Sequence, residues 1–394
     1  MKKYLANLTP MRGIAALLTV VFHVDLMLGS GGDFLIKKSH SLVLSRKYLM
    51  VDFFFILSGF IMCHVYGKMF SASVNKNSFR KFTIARFARV YPLHLLTLSY
   101  CIVLFFITAK LGIPKNLVIE IDNNAYSVVT NLLLLHSMNL HNWFSWDHAS
   151  WSISTEWWAY MIFPFLVAPF QKLNKSSKAM VAVACIAGYL CITFFIVPLV
   201  TVPKEIPFVK LDPSQLSINV AYEYGYLRCL CGFILGMVVY EGYKVGWLKS
   251  ILSNGFILAA LFLAVLVCMH FTLPDFITIL FCPFILLCGA YGSPNTDKLF
   301  KKTAFQKIGD WSFSIYLTHQ PLLFTIGAVF TYLNPMDPAK VPMGPPPKPP
   351  LFIAWLICLA FIGLVLLVSY FTYRFVEVPA RNWINQKSKR KSIY

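Results

Sequence analysis

LFIAWLICLAFIGLVLLVSYFTY, residues 351–373, runs for 23 positions without an Asp, Glu, Lys or Arg. An α-helix rises about 1.5 Å per residue, so about 20 apolar residues span the hydrocarbon core of a bilayer. A helix apolar on every side at this length predicts a membrane span. Working outward, comparable runs lie near 11–29, 49–67, 88–109, 150–169, 179–200, 219–240, 251–270, 275–292 and 308–332. The sequence thus predicts an all-α, polytopic transmembrane helix bundle of about ten spanning helices. Residues 128–140 are apolar but too few to cross, and they are expected as a short re-entrant or interfacial segment.

Composition agrees. Of 394 residues, 58% are apolar and 13% charged, against about 25% charged in soluble proteins. Mean hydropathy is +0.65. The net charge of +19 sits in short connectors between apolar runs, which argues against nucleic acid and predicts orientation by the excess of Lys and Arg on the cytosolic side. With the N-terminus cytosolic, the basic connectors 68–86, 172–178, 244–249 and 298–307 and the segment 387–391 all become cytosolic. Lys37, Lys38, Arg46 and Lys47 are the exception. Counting 128–140 as a crossing would turn the basic connectors that follow it outward, so parity rejects it. Residues 1–378 are expected as one transmembrane domain, with 379–394 as a basic cytosolic tail. Both termini are then cytosolic, in the cell membrane of a bacterium. The connector 333–350 carries eight prolines and is expected as a stiff external strap. The N-terminus resembles a signal peptide, but Arg12 interrupts it and no cleavage site follows, so it is kept as a first helix. All ten cysteines lie in or beside apolar runs and are expected to pack rather than bind metal.

Ionisable groups inside spans are costly and point to function. Arg12 and His23 are eleven positions apart on the first helix, hence on nearly one face and roughly 16 Å apart along the axis. That puts Arg12 near the cytosolic surface and His23 at mid-depth. His319, in SIYLTHQP, is expected at the same depth as His23. Arg86 and Arg89, in ARFARVYP, share a face one turn apart, and two guanidinium forks suit a phosphate or diphosphate; ordinary orienting charge is the competing explanation. Glu156, in WSISTEWWAY, has Trp143, Trp146, Trp151, Trp157 and Trp158 around it in the sequence, and a carboxylate beside flat apolar faces suits a sugar. An interfacial aromatic belt competes for any one Trp. Asp52 and Ser58, in VDFFFILSGF, lie on the second span. His136, His141, Asp147 and His148 lack a recognised ligand spacing, and no metal is assigned.

Taken in order, LTPMRGIAALLTVVFH, VDFFFILSGF, ARFARVYP, WSISTEWWAY, IGDWSFSIYLTHQP and RFVEVPAR resemble the acyltransferase-3 family of membrane O-acyltransferases over nearly the whole chain. The resemblance implies transfer of an acyl group, usually acetyl from acetyl-coenzyme A, to hydroxyls of envelope polysaccharide, glycolipid or secreted small molecules. It also implies that Arg12 and His23 are a functional pair and that Arg86 and Arg89 take part. Leu8, Thr9, Pro10, Met11 and Arg12 stand where many members have Leu-Asp-Gly-Leu-Arg, so this sequence lacks the acidic residue of that pattern. With the sequence ending at Tyr394, delivery without an appended esterase-like domain is expected.

The expected site has His23 as general base, Glu156 or Asp52 fixing its tautomer, and His319 binding the oxyanion or relaying the proton. Arg12, Arg86 and Arg89 would hold acyl-coenzyme A, a substrate rather than a tightly bound cofactor. Trp151, Ser152, Trp157, Ser58 and Tyr316 would meet a carbohydrate or glycolipid acceptor. An acyl-enzyme on Ser58 is the alternative route, and a secondary transporter is the competing class, which the lack of an internal repeat disfavours.

Overall fold

The computed structural model describes residues 4–28, 34–200, 216–335 and 349–390. Most of the expected proline strap, residues 336–348, lies outside the described residues. Each expected apolar run is helical. In chain order the helices are α1 (Leu8–Leu28), α2 (Met50–Tyr66), α3 (Lys76–Lys110), α4 (Ala125–Leu132), α5 (Trp151–Lys172), α6 (Lys175–Cys191) and α7 (Gly225–Lys244). They continue with α8 (Gly255–His270), α9 (Asp275–Tyr291), α10 (Pro294–Phe300), α11 (Thr303–Asp310), α12 (Ser312–Leu333), α13 (Leu351–Thr372) and α14 (Val378–Arg390). Among the described residues there is no β-strand.

Among the described residues seven helical segments are long and apolar enough to cross a membrane, and α9 with α10, bent by 85°, makes an eighth if the pair is counted as one span. Two of the ten expected spans fall short. In α5 the run Ser152–Glu156 dilutes the apolar content, and α8 has only 16 residues, a rise of about 24 Å. The segment expected to be re-entrant or interfacial, 128–140, begins within α4, whose 8 residues reach about 12 Å, and continues without helix. Here Ser127, Thr130 and Asn131 point inward while Tyr126, Val129 and Leu133 face out.

That polarity holds across the molecule. Phe256, Phe352 and Phe195 are 76%, 71% and 69% exposed, whereas Asp52, Arg228, Asp275 and His319 are 0% exposed. Apolar outside and charge inside is the arrangement that lipid selects, because only the interior can supply partners for polar groups.

At the centre α2 and α7 touch backbone to backbone. A Cβ at Gly59 would sit 1.8 Å from the Phe233 carbonyl oxygen, and one at Gly236 would sit 1.9 Å from that of Ile56. Gly232 and Gly236 form the small-xxx-small spacing that permits such contact. Above this crossing the Arg228 guanidinium grips Asp52 with two bonds, Nη2 to Oδ2 at 2.5 Å and Nε to Oδ1 at 2.9 Å. Asp52 is therefore fully used by Arg228 rather than placed to orient His23.

A second buried pair, Arg46 to Asp275 at 2.5 Å, is joined by the Tyr48 hydroxyl, which donates to Asp275 Oδ2 at 2.6 Å. It accounts for part of the basic exception in the connector before α2. Arg46 and Lys47 are 2% and 4% exposed and act as internal groups, not as surface charge that orients the chain.

Around this centre, α1, α12 and α13 pack through Ala16, Val20, Ile315, Leu323, Cys358 and Val365. On another side α3 and α5 pack on α2 and α7 through Phe82, Val90, Phe163 and Phe233. α13 runs through a π-helical turn, Tyr373–Glu377, into α14, which packs along α3. Such turns re-aim side chains, and this one carries Glu377 to Arg89.

Candidate active site

Arg12 of α1, Ser58 of α2, Arg86 and Arg89 of α3, Glu156 and Ser152 of α5, and Tyr316 of α12 line one cavity with about 830 Å³ of empty space, its open side included. Three cationic side chains thus converge at one end of the bundle, supplied by two helices. α3 is started by Asn75, whose side chain accepts from the Ser78 amide while the Ser78 hydroxyl returns the bond, a reciprocal cap.

The two arginines of α3 have different partners. Arg89 is ion-paired with Glu377, which also accepts from the Ser314 hydroxyl at 3.2 Å. Arg86 has no carboxylate partner among the described residues. It donates to the Tyr66 hydroxyl at 3.0 Å and lies over the rings of Tyr66 and Tyr160 at 5.1 and 5.7 Å. Its Nε is buried and unbonded among the described residues. Arg12, on the same cavity wall, makes no ion pair among them either. Arg12 and Arg86 are thus the arginines of this cavity without an ion pair among the described residues, and the ones open to a bound anion.

Glu156 accepts from the Ser58 hydroxyl and from the Tyr160 hydroxyl, the latter at 2.5 Å. These bonds tie the carboxylate to α2 and to its own helix, not to His23. Tyr316 shares a hydrogen bond of 2.8 Å with Ser152. Of the residues expected to meet the acceptor, Ser58, Ser152 and Tyr316 therefore sit with the arginines. Trp151 stacks edge-on with Phe55 at 6.0 Å and lies 5.5 Å from the Arg228 guanidinium, and Trp157 lies 6.2 Å from Phe87. Neither lines the cavity. Trp143 and Trp146 pack elsewhere as well, against Tyr222 and Phe105, so the expected ring of tryptophans around Glu156 is absent.

The histidines do meet. His319 Nε2 lies 3.0 Å from His23 Nδ1. His23 Nδ1 is also 3.0 Å from the Thr19 carbonyl, and His319 Nδ1 is 2.6 Å from the Tyr316 carbonyl. A carbonyl oxygen only accepts, so both rings carry their proton on Nδ1. His319 Nε2 is then an acceptor for His23 Nδ1–H, and His23 Nε2 keeps its lone pair. His319 is fully buried while His23 is partly open. The groups that fix the tautomer of His23 are thus the Thr19 carbonyl and His319, in place of Glu156 or Asp52. His23 and His319 stand one turn beyond Tyr316, deeper in the bundle than the arginines.

Arg228 and Glu377 were not among the expected site residues. Both carried a signal, since each is a charge in a strongly apolar context, GYLRCLCG and YRFVEVPA. The groups His136, His141, Asp147 and His148 do not form a metal cluster, and none is found among the described residues. Asp147 lies in the connector before α5, where burial pushes its carboxyl from 3.8 up to about 7 against the opposing effect of the Thr97 hydroxyl and the Ala149 amide.

A family profile described as an acyltransferase domain matches residues 5–374. The chain is 26% identical over 286 residues to the acyltransferase MdmB of Streptomyces mycarofaciens, covering 69% of this chain and 67% of the relative. It is 20% identical over 411 residues to the peptidoglycan O-acetyltransferase OatA of Listeria monocytogenes, covering 96% of this chain and 56% of the relative. Protein 2 of the picA locus of Rhizobium radiobacter is 35% identical over 130 residues, 32% of this chain and 60% of that protein. The chain thus spans between about half and two thirds of the length of these relatives. No solved structure matches it. With the profile covering nearly every residue and the helical bundle it implies in place, the chain belongs to the acyltransferase-3 family of membrane-bound acyltransferases.

Proposed function

We propose that the enzyme transfers an acyl group, acetyl by preference, from cytosolic acyl-coenzyme A to a carbohydrate hydroxyl at the opposite face of the membrane. The observation that carries this reading is the His23–His319 contact, with its lone pair left on His23 Nε2, placed on the same helix face as Arg12 and roughly 16 Å deeper. Arg12 and Arg86 would hold the coenzyme phosphates at the cavity mouth by charge-assisted hydrogen bonds. The extended pantetheine arm is long enough to bring the thioester to the histidines.

A sugar hydroxyl attacks a thioester only if its proton leaves as the bond forms, and His23 Nε2, with its lone pair free, would take it. The acceptor oxygen bonds to the acyl carbon, the carbon–sulfur bond breaks, and the proton passes from His23 to the departing thiolate. His319 accepts from His23 Nδ1–H throughout, which stabilises the imidazolium and prevents the ring from turning.

A covalent route has one observation in its favour, the Ser58 hydroxyl donating to Glu156 within the arginine cavity. It predicts radiolabel on the protein after acetyl-coenzyme A alone, absent in Ser58→Ala. Direct transfer predicts none.

The deciding assay incubates purified protein in liposomes with radiolabelled acetyl-coenzyme A and an acceptor extract. His23→Ala should lose about 10²- to 10⁴-fold in turnover, the range for a general base, while still binding donor. Near-normal turnover in His23→Asn, which keeps polarity and volume, would refute the catalytic role.

A further inference from the structure

A second cavity, with about 660 Å³ of empty space including its open side, lies at the other end of the same helices. α12 sets the order. Ser312, Phe313 and Tyr316 line the arginine cavity, His319 follows one turn later, and Phe324, Gly327, Ala328 and Thr331 line the second cavity. α3 repeats it, with Arg86, Arg89 and Val90 in the first cavity and Cys101, Phe105 and Thr108 in the second. α1 closes the gap from a third side. Met27, one turn beyond His23, packs against the cluster of Leu98, Cys101, Trp146 and Phe324, three of which line the second cavity. The histidine pair therefore stands between two cavities that open at opposite ends.

Their chemistry differs. Three arginines line the first, whereas no Lys or Arg lines the second. The second offers the ring faces of Trp146 and Phe105, with Glu120, Asn116, Asn123 and Thr331 as polar groups. Trp146 is held rigid, since its amide donates to Asn123 Oδ1 at 2.6 Å and its indole to the Ser127 hydroxyl at 2.8 Å. Lys115, whose Nζ lies 5.9 Å over the Phe105 ring, partly balances Glu120, so the cavity carries no net positive charge to draw an anion; its carboxylate accepts from hydroxyls, and fixed aromatic faces match the C–H faces of a pyranose. Pockets that pair apolar walls with a few placed polar groups are the usual form of small-molecule sites.

We propose that this cavity binds the acyl acceptor, a neutral saccharide or glycoside, and presents one of its hydroxyls to His23 Nε2. The inference rests on the acyltransferase mechanism above and adds where the acceptor sits and what charge it bears. The acceptor oxygen gains the acyl carbon, sulfur loses it, and coenzyme A thiol leaves through the arginine cavity.

The test uses the full chain in liposomes, radiolabelled acetyl-coenzyme A and two probes, octyl glucoside as the neutral acceptor and octyl glucuronide as the anionic one. A Cβ at Gly327 meets no heavy atom within 4 Å, so Gly327→Phe, with Ala328→Phe beside it, adds bulk at the cavity wall without a backbone clash at the first position. Either blocking variant should raise the KM for octyl glucoside by about tenfold or more, and Glu120→Gln by about tenfold, the loss of one hydrogen bond to a charged group. Acetyl-coenzyme A affinity should be unchanged, which also reports an intact fold. Unaltered KM in all three variants, with wild type active, overturns the site. Acylation of the glucuronide in preference to the glucoside overturns the neutral class. If wild type acylates neither probe, slow His23-dependent hydrolysis of acetyl-coenzyme A overturns the acceptor assignment alone, and its absence overturns the mechanism as well.

Discussion

Arg86 and Arg89 are one turn apart and alike in sequence, yet they are expected to fail differently. Removing Arg86 takes away a cation that no carboxylate balances, so Arg86→Ala should weaken acetyl-coenzyme A binding by about tenfold or more, as loss of a charge-assisted phosphate contact does, with little change in thermal stability. Removing Arg89 leaves Glu377, which is 1% exposed, with the more distant Arg381 at 3.8 Å as its ion-pair partner among the described residues. Arg89→Ala should therefore lower the melting temperature in detergent, and Glu377→Gln in the same chain should recover part of the loss. Equal effects of both arginines on donor affinity, measured by calorimetry, would contradict this division. Asp147 gives the pH dependence. Its folded value near 7 lies above its unfolded value near 3.8, so the folded state holds the extra proton between them, and stability falls as pH rises through that window. Above it the destabilisation is complete, up to ~4 kcal/mol. Asp147→Asn should melt higher than wild type at pH 8 and lose that advantage as the pH is lowered toward 5. A gap that does not vary with pH would show that the carboxyl ionises normally.

The α2–α7 crossing shows what a helix-by-helix sequence analysis can see and what it cannot. Spans were legible because apolar runs of about 20 residues have few other uses, and His23 and His319 were legible because counting residues from the helix start gives depth. Asp52 was assigned to His23 because both lie inside the membrane, but the pairing of a buried charge depends on rotation about the helix axis and on neighbours distant in sequence. Its partner Arg228 is 176 residues away. The same applies to Glu377, whose approach to Arg89 depends on a π-helical turn that no apolar pattern reports. The Asp52–Arg228 pair also makes a prediction for the element. Arg228→Ala would leave Asp52 buried and uncompensated, at about 3 to 5 kcal/mol, enough to reduce the folded yield sharply. Asp52→Asn with Arg228→Met should restore folding, and turnover per folded molecule should return with it. Restored folding with turnover still absent would instead give the pair a part in the chemistry.

Over the whole molecule, basic connectors gather at the arginine-cavity end. Gln171 donates to the Gly67 carbonyl, Lys178 pairs with Glu241, Gln306 donates to the Ala6 carbonyl and the Tyr291 hydroxyl donates to the Trp247 carbonyl. These contacts place the connectors after α2, α5, α7 and α9 beside the start of α1. The opposite end holds the connector between α3 and α4 with Glu120 and Asp122. With Arg46 and Lys47 buried, the exposed basic residues on that side before α4 are Lys37, Lys38, Lys110 and Lys115, too few to reverse the bias. The orientation we propose therefore puts the arginine cavity in the cytosol, where acyl-coenzyme A is made, and the second cavity outside. Single cysteines test it in a background with the exposed Cys191 changed to Ser. Lys115→Cys should react with an impermeant thiol reagent on intact cells, and Lys301→Cys should react only after permeabilisation. The reverse pattern would leave Arg12 and Arg86 facing away from the donor pool, and the proposed direction of transfer would fall with it, since the phosphates would then have to enter from a side that contains no acyl-coenzyme A.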